Sequence, residues 1–324
     1  MTKNLIKKIG LIFTFILIFS LICSCGKANK NDCLTVVTTV FPQYDFVRNI
    51  TEGANVELKM LLPPGSEPHS YEPTPADMIA TADCDLFIAI GGESEAWADR
   101  IVSGAGLDEG KILTLMDTVP LLETENGHGD EGHSHEHTHE NSDHDHIHDE
   151  HIWTSPKNAV TIVEKITDRL CIIDENNAEL YRSNAEKYLN ELYDLDAEFS
   201  ALAEETNGSG KRLVFGDRFP FLYLARAYGF EYTSPFRGCS SHTEASLAEI
   251  AVAVRTAREC GSEIIFSVDY SNAKLARTIA HEIDATVLPL YSCHTLSADD
   301  FSKGIGYTDI MKKNLKNIKE AIGN

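Results

Sequence analysis

Nine of the thirteen histidines of this chain lie between His128 and His151, in the stretch HGDEGHSHEHTHENSDHDHIHDEH, where Asp and Glu alternate with them. Imidazole binds Zn²⁺, Cu²⁺ and Ni²⁺, and carboxylates can complete the coordination shell. Because histidine titrates at about pH 6.5, such a stretch binds metal at neutral pH and releases it on acidification. The alternative is a solvated low-complexity linker. We predict an auxiliary collector of metal ions, formed by His128, His133, His135, His137, His139, His144, His146 and His148.

The residues HEHTH at 135–139 match the HExxH motif of zinc proteases. That chemistry requires a helix that presents both histidines on one buried face, with the Glu as general base. Here the flanking residues are Gly, Ser and further His, so no apolar face exists. We therefore expect a protein that is not an enzyme, and a surface zinc-dependent hydrolase is the alternative of a different class.

A selective metal site needs ligands on rigid elements. His69 lies in a Pro/Gly-rich loop after a predicted strand, and His151 stands at the edge of the histidine-rich stretch, just before a helix start. Asp217 follows the end of one predicted strand, and Cys293 and His294 follow the end of another. Parallel sheets collect ligands at the carboxyl ends of their strands, so we predict that these four points of the chain converge on one ion. Three imidazoles and one oxygen, from Asp217 or water, suit tetrahedral zinc; more carboxylate ligands would favour manganese.

Short apolar runs alternate with helical segments along the whole chain. The runs LTVVTTVFP, NVELKMLLPP, DLFIAIGG, KILTL, KRLVFGD, EIIFSVD and ATVLPLY read as strands. Helices are predicted at 44–51, 76–82, 93–102 and 299–322, and in SLAEIAVAVRTAREC and AKLARTIAHEI. This alternation predicts an α/β fold with two lobes, each with a mainly parallel sheet flanked by helices.

Between the two strand-rich parts lie two helical segments without strands. In the second, apolar residues recur at spacings of four and three, which indicates one continuous buried stripe: Tyr181, Ala185, Tyr188, Leu192, Leu195, Phe199 and Leu202. We predict an N-terminal lobe at 34–173, a long rigid joining helix at 174–206 and a C-terminal lobe at 207–324. The metal would lie in the cleft between the lobes. A loop at 123–150, which has no apolar period, is predicted to lack structure.

The N-terminus reads as an export signal. Three lysines precede an apolar run at 9–22, which is too short for a comfortable membrane span, and LICSCGK follows. This resembles the lipobox of bacterial lipoproteins, with Cys25 as the lipidated residue, 1–24 as signal peptide and 25–33 as tether. The alternatives are an ordinary signal peptide and an uncleaved anchor. The net charge of −22 argues against a nucleic-acid partner.

Several phrases together closely resemble one family. PGSEPHSYEPTPAD, DEHIWTSPKNA, the acidic histidine-rich loop and the long joining helix are similar to the metal-binding lipoproteins of bacterial ABC transporters for zinc and manganese. The resemblance implies one transition metal held between two lobes and delivered to a membrane permease that an ATPase drives. His69 and His151 match the two ligands of the family's N-terminal lobe.

The C-terminal part departs from the family pattern. Many members carry His-Asp-Ala-Phe after the first strand of this lobe, whereas this chain reads GDRFPFLYLARAYGF, with Asp217 nearest by position. The usual aspartate of the last strand–loop is replaced by YSCHTL, so His294 is the natural substitute. Cys293 is the softer rival, or it pairs with Cys239 in a disulfide.

The resemblance thus predicts an extracytoplasmic, lipid-anchored zinc receptor that acts as a monomer with an ABC permease and ATPase. Glu67 and Tyr71 flank His69 and are candidates for orienting its imidazole. The alternatives are a manganese or iron receptor of the same transporter class and a surface adhesin that buffers metal without a permease.

Overall fold

A computed structural model describes residues 33–67, 70–124, 148–236 and 245–323. The predicted residues Cys25, His69 and Cys239, and the segment 125–147 with most of the histidine-rich stretch, lie outside these ranges. The described residues from Thr35 onward form one compact unit. In the described ranges, no helix combines the length and the apolar character that a bilayer span requires. We use N-terminal half for residues 34–173 and C-terminal half for residues 207–324.

The N-terminal half contains one four-stranded sheet. Its strands are β1 (Leu34–Thr38), β2 (Val56–Met60), β3 (Leu86–Ala89) and β4 (Ile112–Thr114), in the order β2-β1-β3-β4. The pairs β1–β3 and β3–β4 are parallel. Helices α1 (Phe41–Ile50), α2 (Pro75–Asp83) and α3 (Ala96–Ala105) connect the strands. All four residues of β3 are buried and apolar, as expected for a parallel strand that is covered on both faces.

Two helices follow the first sheet. Helix α4 (Pro156–Ile173) packs against α5 (Ala178–Thr206), which has 29 residues and is therefore about 44 Å long. All seven residues of the predicted apolar stripe of α5 are buried. Asn184 of α5 donates hydrogen bonds to the carbonyls of Ile50 and Glu52, which fastens the helix to the end of α1.

The C-terminal half repeats the first arrangement. Its strands are β5 (Leu213–Val214), β6 (Tyr232–Thr233), β7 (Ile264–Val268) and β8 (Thr286–Leu290), and its connecting helices are α6 (Leu222–Tyr228), α7 (Leu247–Glu259) and α8 (Lys274–Ile283). The pairs β5–β6 and β7–β8 are parallel, and a parallel bridge between Phe215 and Phe266 joins them. The order β6-β5-β7-β8 reproduces that of the first sheet. The predicted α/β class with parallel sheets and a long helix is confirmed, although the sequence analysis missed α6 and β6.

The predicted single helix at 299–322 is wrong. The chain forms α9 (Ala298–Ser302) and α10 (Tyr307–Ile322), and Gly304 between them has a positive φ of 72°. The break allows the start of α10 to meet Asp45 of α1, whose buried carboxylate accepts hydrogen bonds from the Tyr307 backbone N–H (2.8 Å) and the Tyr188 hydroxyl (3.2 Å). This carboxylate therefore connects α1, α5 and α10.

Candidate metal centre

The structure brings His151 and His294 together. His151 precedes a short 3₁₀ turn at Ile152–Thr154 that leads into α4, and His294 follows β8. Both side chains are buried, with 3% and 4% of the residue exposed, and their ring centroids lie 5.4 Å apart. Two imidazoles on one tetrahedral zinc place their centroids about 5 Å apart, because each Zn–N bond is about 2.0–2.1 Å long. The observed spacing therefore suits one shared ion.

Asp149 fixes the orientation of the His151 ring. One oxygen of its buried carboxylate accepts a hydrogen bond from the His151 backbone N–H (2.8 Å) and lies 3.1 Å from Nδ1 of the same residue. A proton on Nδ1 satisfies this carboxylate and leaves the lone pair on Nε2. Carboxylate–histidine pairs of this kind orient metal-binding imidazoles and raise their basicity. His151 is thus held in the tautomer that binds a metal through Nε2.

Trp153 lies against both imidazoles. Its ring centroid is 5.4 Å from that of His151 and 4.8 Å from that of His294, and the residue is fully buried. Its indole N–H donates a hydrogen bond to the carbonyl of Ser292 in the C-terminal half (2.8 Å). The loops that carry the two histidines are therefore joined by an aromatic contact and a buried hydrogen bond.

His69 lies outside the described residues, so its role as a ligand stays a prediction. The residues that precede it are described, and they contact the loop of His294. The Gly65 backbone N–H donates to the Thr295 hydroxyl (3.1 Å), and the charge of Glu67 contributes to raising the pKa of Asp269 in the C-terminal half. The loop that leads to His69 therefore meets the C-terminal half close to His294.

Tyr71, which was predicted to orient His69, has its hydroxyl bound elsewhere. It donates to the Asp77 carboxylate in the first turn of α2 (2.8 Å), and its ring packs against Trp97 with centroids 4.9 Å apart. Burial and this acceptor raise the pKa of Tyr71 above its ordinary value. These contacts hold the segment after His69 against the N-terminal core.

Asp217 follows β5, as predicted, and its carboxylate binds to its own half. One oxygen accepts from the Arg218 backbone N–H (2.9 Å), and the other accepts from the Val268 backbone N–H (3.3 Å) and the Ser271 hydroxyl. Asp217 therefore braces the turn after β7. Its role as the oxygen ligand stays a prediction.

Asp269, which was not predicted from the sequence, stands directly after β7. Its half-buried carboxylate accepts a hydrogen bond from the Ser292 backbone N–H (2.6 Å), two residues before His294. Burial, the largest cause, and the nearby charge of Glu67 raise the pKa of Asp269 to about 6. The rule that selected Asp217, an acid at the end of a predicted strand, could have selected Asp269 in EIIFSVD as well.

The backbone is strained next to both Asp269 and His294. Tyr270 and Cys293 have positive φ values of 61° and 60°, in the left-handed region that non-glycine residues rarely adopt. Such residues occur where the surrounding structure holds a functional geometry. Cys293 is a buried free thiol, and burial raises its pKa well above the ordinary value. The predicted bond to Cys239 stays a prediction, because Cys239 lies outside the described residues.

The histidine-rich loop is structured at both ends, which corrects the prediction that all of 123–150 lacks structure. Glu123 and His148 form an antiparallel bridge, Asp149 contacts His151, and the Glu150 carboxylate accepts from the Ser94 backbone N–H (2.9 Å). Of the eight predicted auxiliary histidines, His148 is described and the other seven lie in 125–147.

A complete metal site is not contained in the described ranges. Within residues 33–67, 70–124, 148–236 and 245–323, no group of three or more His, Cys, Asp or Glu residues is arranged to hold a metal ion. The described residues thus supply the pair His151 and His294, and the predicted third imidazole, His69, is among those not described.

Comparison with known proteins assigns the chain to a family. The profile of ZnuA, described as zinc-uptake complex component A, periplasmic, matches residues 36–321. The chain belongs to the ZnuA family. It is 33% identical to the high-affinity zinc uptake system protein ZnuA of Bacillus subtilis over 98% of both chains.

Solved structures of relatives have the same fold. The metal-dependent lipoprotein YcdH of Bacillus subtilis is 30% identical and superimposes with a TM-score of 0.72 over 89% of this chain and 99% of YcdH. The zinc-binding lipoprotein AdcA of Streptococcus pneumoniae is 29% identical over 97% of this chain, which spans 61% of AdcA. The Zn(II)-bound ZnuA-like domain of AdcA is 28% identical, with a TM-score of 0.68 over 90% of this chain and 99% of that domain.

Proposed function

We propose that this protein is the extracytoplasmic zinc-binding receptor of an ABC importer, and that zinc is its cargo. The observation that carries the proposal is the buried pair His151–His294, with centroids 5.4 Å apart and Nδ1 of His151 bound to Asp149. His69 is the third nitrogen ligand, and Asp217, Asp269 or water is the oxygen ligand. Membership of a family of zinc-uptake receptors supports this reading over an enzyme.

Zinc is favoured over manganese by the chemistry of the ligands. Three imidazoles and one oxygen form a nitrogen-rich tetrahedral set, which suits Zn²⁺, whereas Mn²⁺ prefers more oxygen ligands. We expect the purified apo-protein to bind one Zn²⁺ tightly and Mn²⁺ at least about 100-fold more weakly, in line with the order of divalent-metal affinities. Calorimetric competition measures both constants. If Mn²⁺ binds more tightly than Zn²⁺, the cargo is manganese rather than zinc.

The permease and the ATPase are the proposed partners, and Cys25 carries the proposed lipid anchor. Deletion of the chromosomal copy is expected to abolish high-affinity zinc uptake, and the wild-type chain supplied in trans is expected to restore it. Unchanged uptake would favour a passive surface buffer or adhesin. A Cys25→Ser variant that is released into the medium, with intact zinc binding, would support the anchor separately from the metal site.

The histidine-rich loop is proposed to collect zinc near the tight site. Because Glu123 and His148 pair across its base, residues 125–147 can be replaced by a short Gly-Ser turn without stretching the backbone. We expect this variant to keep one tight zinc equivalent and to lose the weaker ones, because the imidazoles of the histidine-rich stretch are proposed to hold metal only loosely. Calorimetric titration of both forms measures the change, and an unchanged total stoichiometry would contradict the collector role.

A further inference from the structure

Trp153 makes contacts that cross between the two halves of the chain. It follows His151 by two residues, and its indole N–H binds the Ser292 carbonyl, two residues before His294 (2.8 Å). Its ring lies against both imidazoles, 5.4 Å and 4.8 Å between centroids. One side chain thus touches the loops of both described histidines without being a metal-binding group itself.

The backbone of Trp153 is anchored as firmly as its ring. The Tyr307 hydroxyl donates to the Trp153 carbonyl (2.7 Å), and the Tyr307 backbone N–H donates to the buried Asp45 carboxylate (2.8 Å). Trp153 and Tyr307 are both fully buried, so water does not compete for these bonds. A chain of hydrogen bonds therefore runs from α1 through the start of α10 and Trp153 to the loop after β8.

Two ligands on separate loops can share an ion only if the loops keep their relative position. If the loops move independently, the metal must order both loops when it binds. Each imidazole can then dissociate from the metal separately. A rigid ring packed against both imidazoles restrains their separation, and the bond to Ser292 fixes one loop against the other. Preorganisation of this kind lowers the ordering cost of binding and slows dissociation.

We propose that Trp153 is the positioning residue that keeps the imidazoles of His151 and His294 at a fixed separation across the two halves. This part of the site is then assembled before zinc arrives. The proposal rests on the proposed function, because it concerns the same metal centre. Trp153 acts through the two imidazoles and does not touch the ion.

Trp153→Phe is the decisive variant, because it keeps an aromatic ring but removes the N–H that binds Ser292. We expect zinc to dissociate about 10- to 100-fold faster, the range found for groups that orient metal ligands, with the stoichiometry of one tight ion unchanged. Stopped-flow transfer of zinc to an excess of chelator measures the rate. A rate equal to that of the wild type would overturn the proposal.

Trp97→Phe is the matched control. Trp97 is the chain's other tryptophan, buried in the N-terminal core, and its indole nitrogen has no hydrogen-bond partner among the described residues. This variant removes a buried indole without removing a bond between the halves, and the phenylalanine ring still packs against Tyr71, so the segment after His69 keeps its aromatic contact. We expect its zinc dissociation rate to stay near that of the wild type. Equal acceleration in both variants would mean that loss of core packing, rather than positioning, controls release, and would overturn the proposal.

The same two variants give a spectroscopic readout. Trp97→Phe leaves Trp153 as the sole tryptophan, and we expect zinc to change its emission because the ring lies against the imidazoles. Trp153→Phe leaves Trp97, whose ring contacts Tyr71, and its emission is expected to respond less than that of Trp153. If Trp153→Phe does not fold, Tyr307→Phe removes the bond to the Trp153 carbonyl and is expected to accelerate release several-fold; no acceleration would overturn the proposal. A wild-type protein that binds no tight zinc would instead refute the proposed function.

Discussion

Replacing His294 with alanine is expected to weaken tight zinc binding by about 100-fold or more. Loss of a group that merely orients a ligand costs about 10- to 100-fold, and His294 is proposed as a ligand itself. The effect should also appear in stability. A ligand at 1,000 times its Kd stabilises the folded state by about 4 kcal/mol, and at 10 times its Kd by about 1.4 kcal/mol. Calorimetry measures the affinity, and thermal unfolding with and without zinc measures the stabilisation.

His281→Ala is the control for this prediction, because His281 is exposed on α8 and is not among the proposed ligands. It should leave both quantities unchanged. His151→Ala is expected to behave like His294→Ala. If His294→Ala binds zinc as tightly as the wild type, His294 is not a ligand, and the C-terminal half must contribute through other groups.

The same assay distinguishes the two candidate oxygen ligands. Asp217→Asn and Asp269→Asn each replace a carboxylate by an amide of similar size. The variant of the true ligand should lose zinc affinity, whereas the other should mainly lower the free energy of unfolding, because it weakens hydrogen bonds to Val268 and Ser271 or to Ser292. If neither variant weakens binding, water is the fourth ligand.

The elements with a strong period were predictable from the sequence. The stripe of α5 was predictable because a four–three spacing from Tyr181 to Leu202 is typical of one buried helix face. The strands β3 and β7 were predictable because β3 is a continuous apolar run and β7 is interrupted by Ser267 alone. The break between α9 and α10 was missed, since Gly304 and Gly306 interrupt an otherwise helical pattern and the partner that stabilises the break, Asp45, is remote in sequence.

The site was predictable in part for a similar reason. His151 and His294 each stand next to a strong structural signal, a helix start and a strand end, so their positions in the fold could be foreseen. Their 5.4 Å separation could not, because it depends on Trp153 and on the packing of the two halves. Asp217 and Asp269 look alike in sequence, and only their hydrogen-bond partners separate them.

The repeated strand order relates the positions of the two described histidines. In both halves the chain runs through four strands in the same spatial order, β2-β1-β3-β4 and β6-β5-β7-β8. His151 comes after the fourth strand of the first half, and His294 comes after the fourth strand of the second. Both described histidines thus follow the last strand of their half, His294 within a few residues and His151 beyond the histidine-rich loop.

A buried carboxylate in the N-terminal half should make stability depend on pH. Glu95, at the start of α3, accepts hydrogen bonds from the Thr39 hydroxyl (2.6 Å) and from the backbone N–H groups of Ile90 (2.7 Å) and Gly91 (3.2 Å). Burial outweighs these donors and, with a smaller contribution from the charge of Glu150, raises the pKa of Glu95 to about 7.

The sign of the effect follows from this raised pKa. Between about pH 4.5 and pH 7 the unfolded state has released the proton that folded Glu95 still holds, so the free energy of unfolding falls as pH rises through this window. The loss amounts to about 3 kcal/mol, since one pKa unit corresponds to about 1.4 kcal/mol. Above the folded pKa the contribution is constant.

Glu95→Gln should remove this contribution, because an amide does not ionise and can still accept from the backbone N–H groups while donating to Thr39. Between pH 4.5 and pH 8, the free energy of unfolding of the variant is expected to rise by about 3 kcal/mol relative to that of the wild type. Urea unfolding of the metal-free proteins at a series of pH values measures the difference. Glu93→Gln, at an exposed position two residues away, is the control. Its free energy of unfolding should change with pH in the same way as that of the wild type. If the free energy of unfolding of Glu95→Gln also follows that of the wild type, Glu95 is ionised in the folded protein, and the three hydrogen-bond donors outweigh burial.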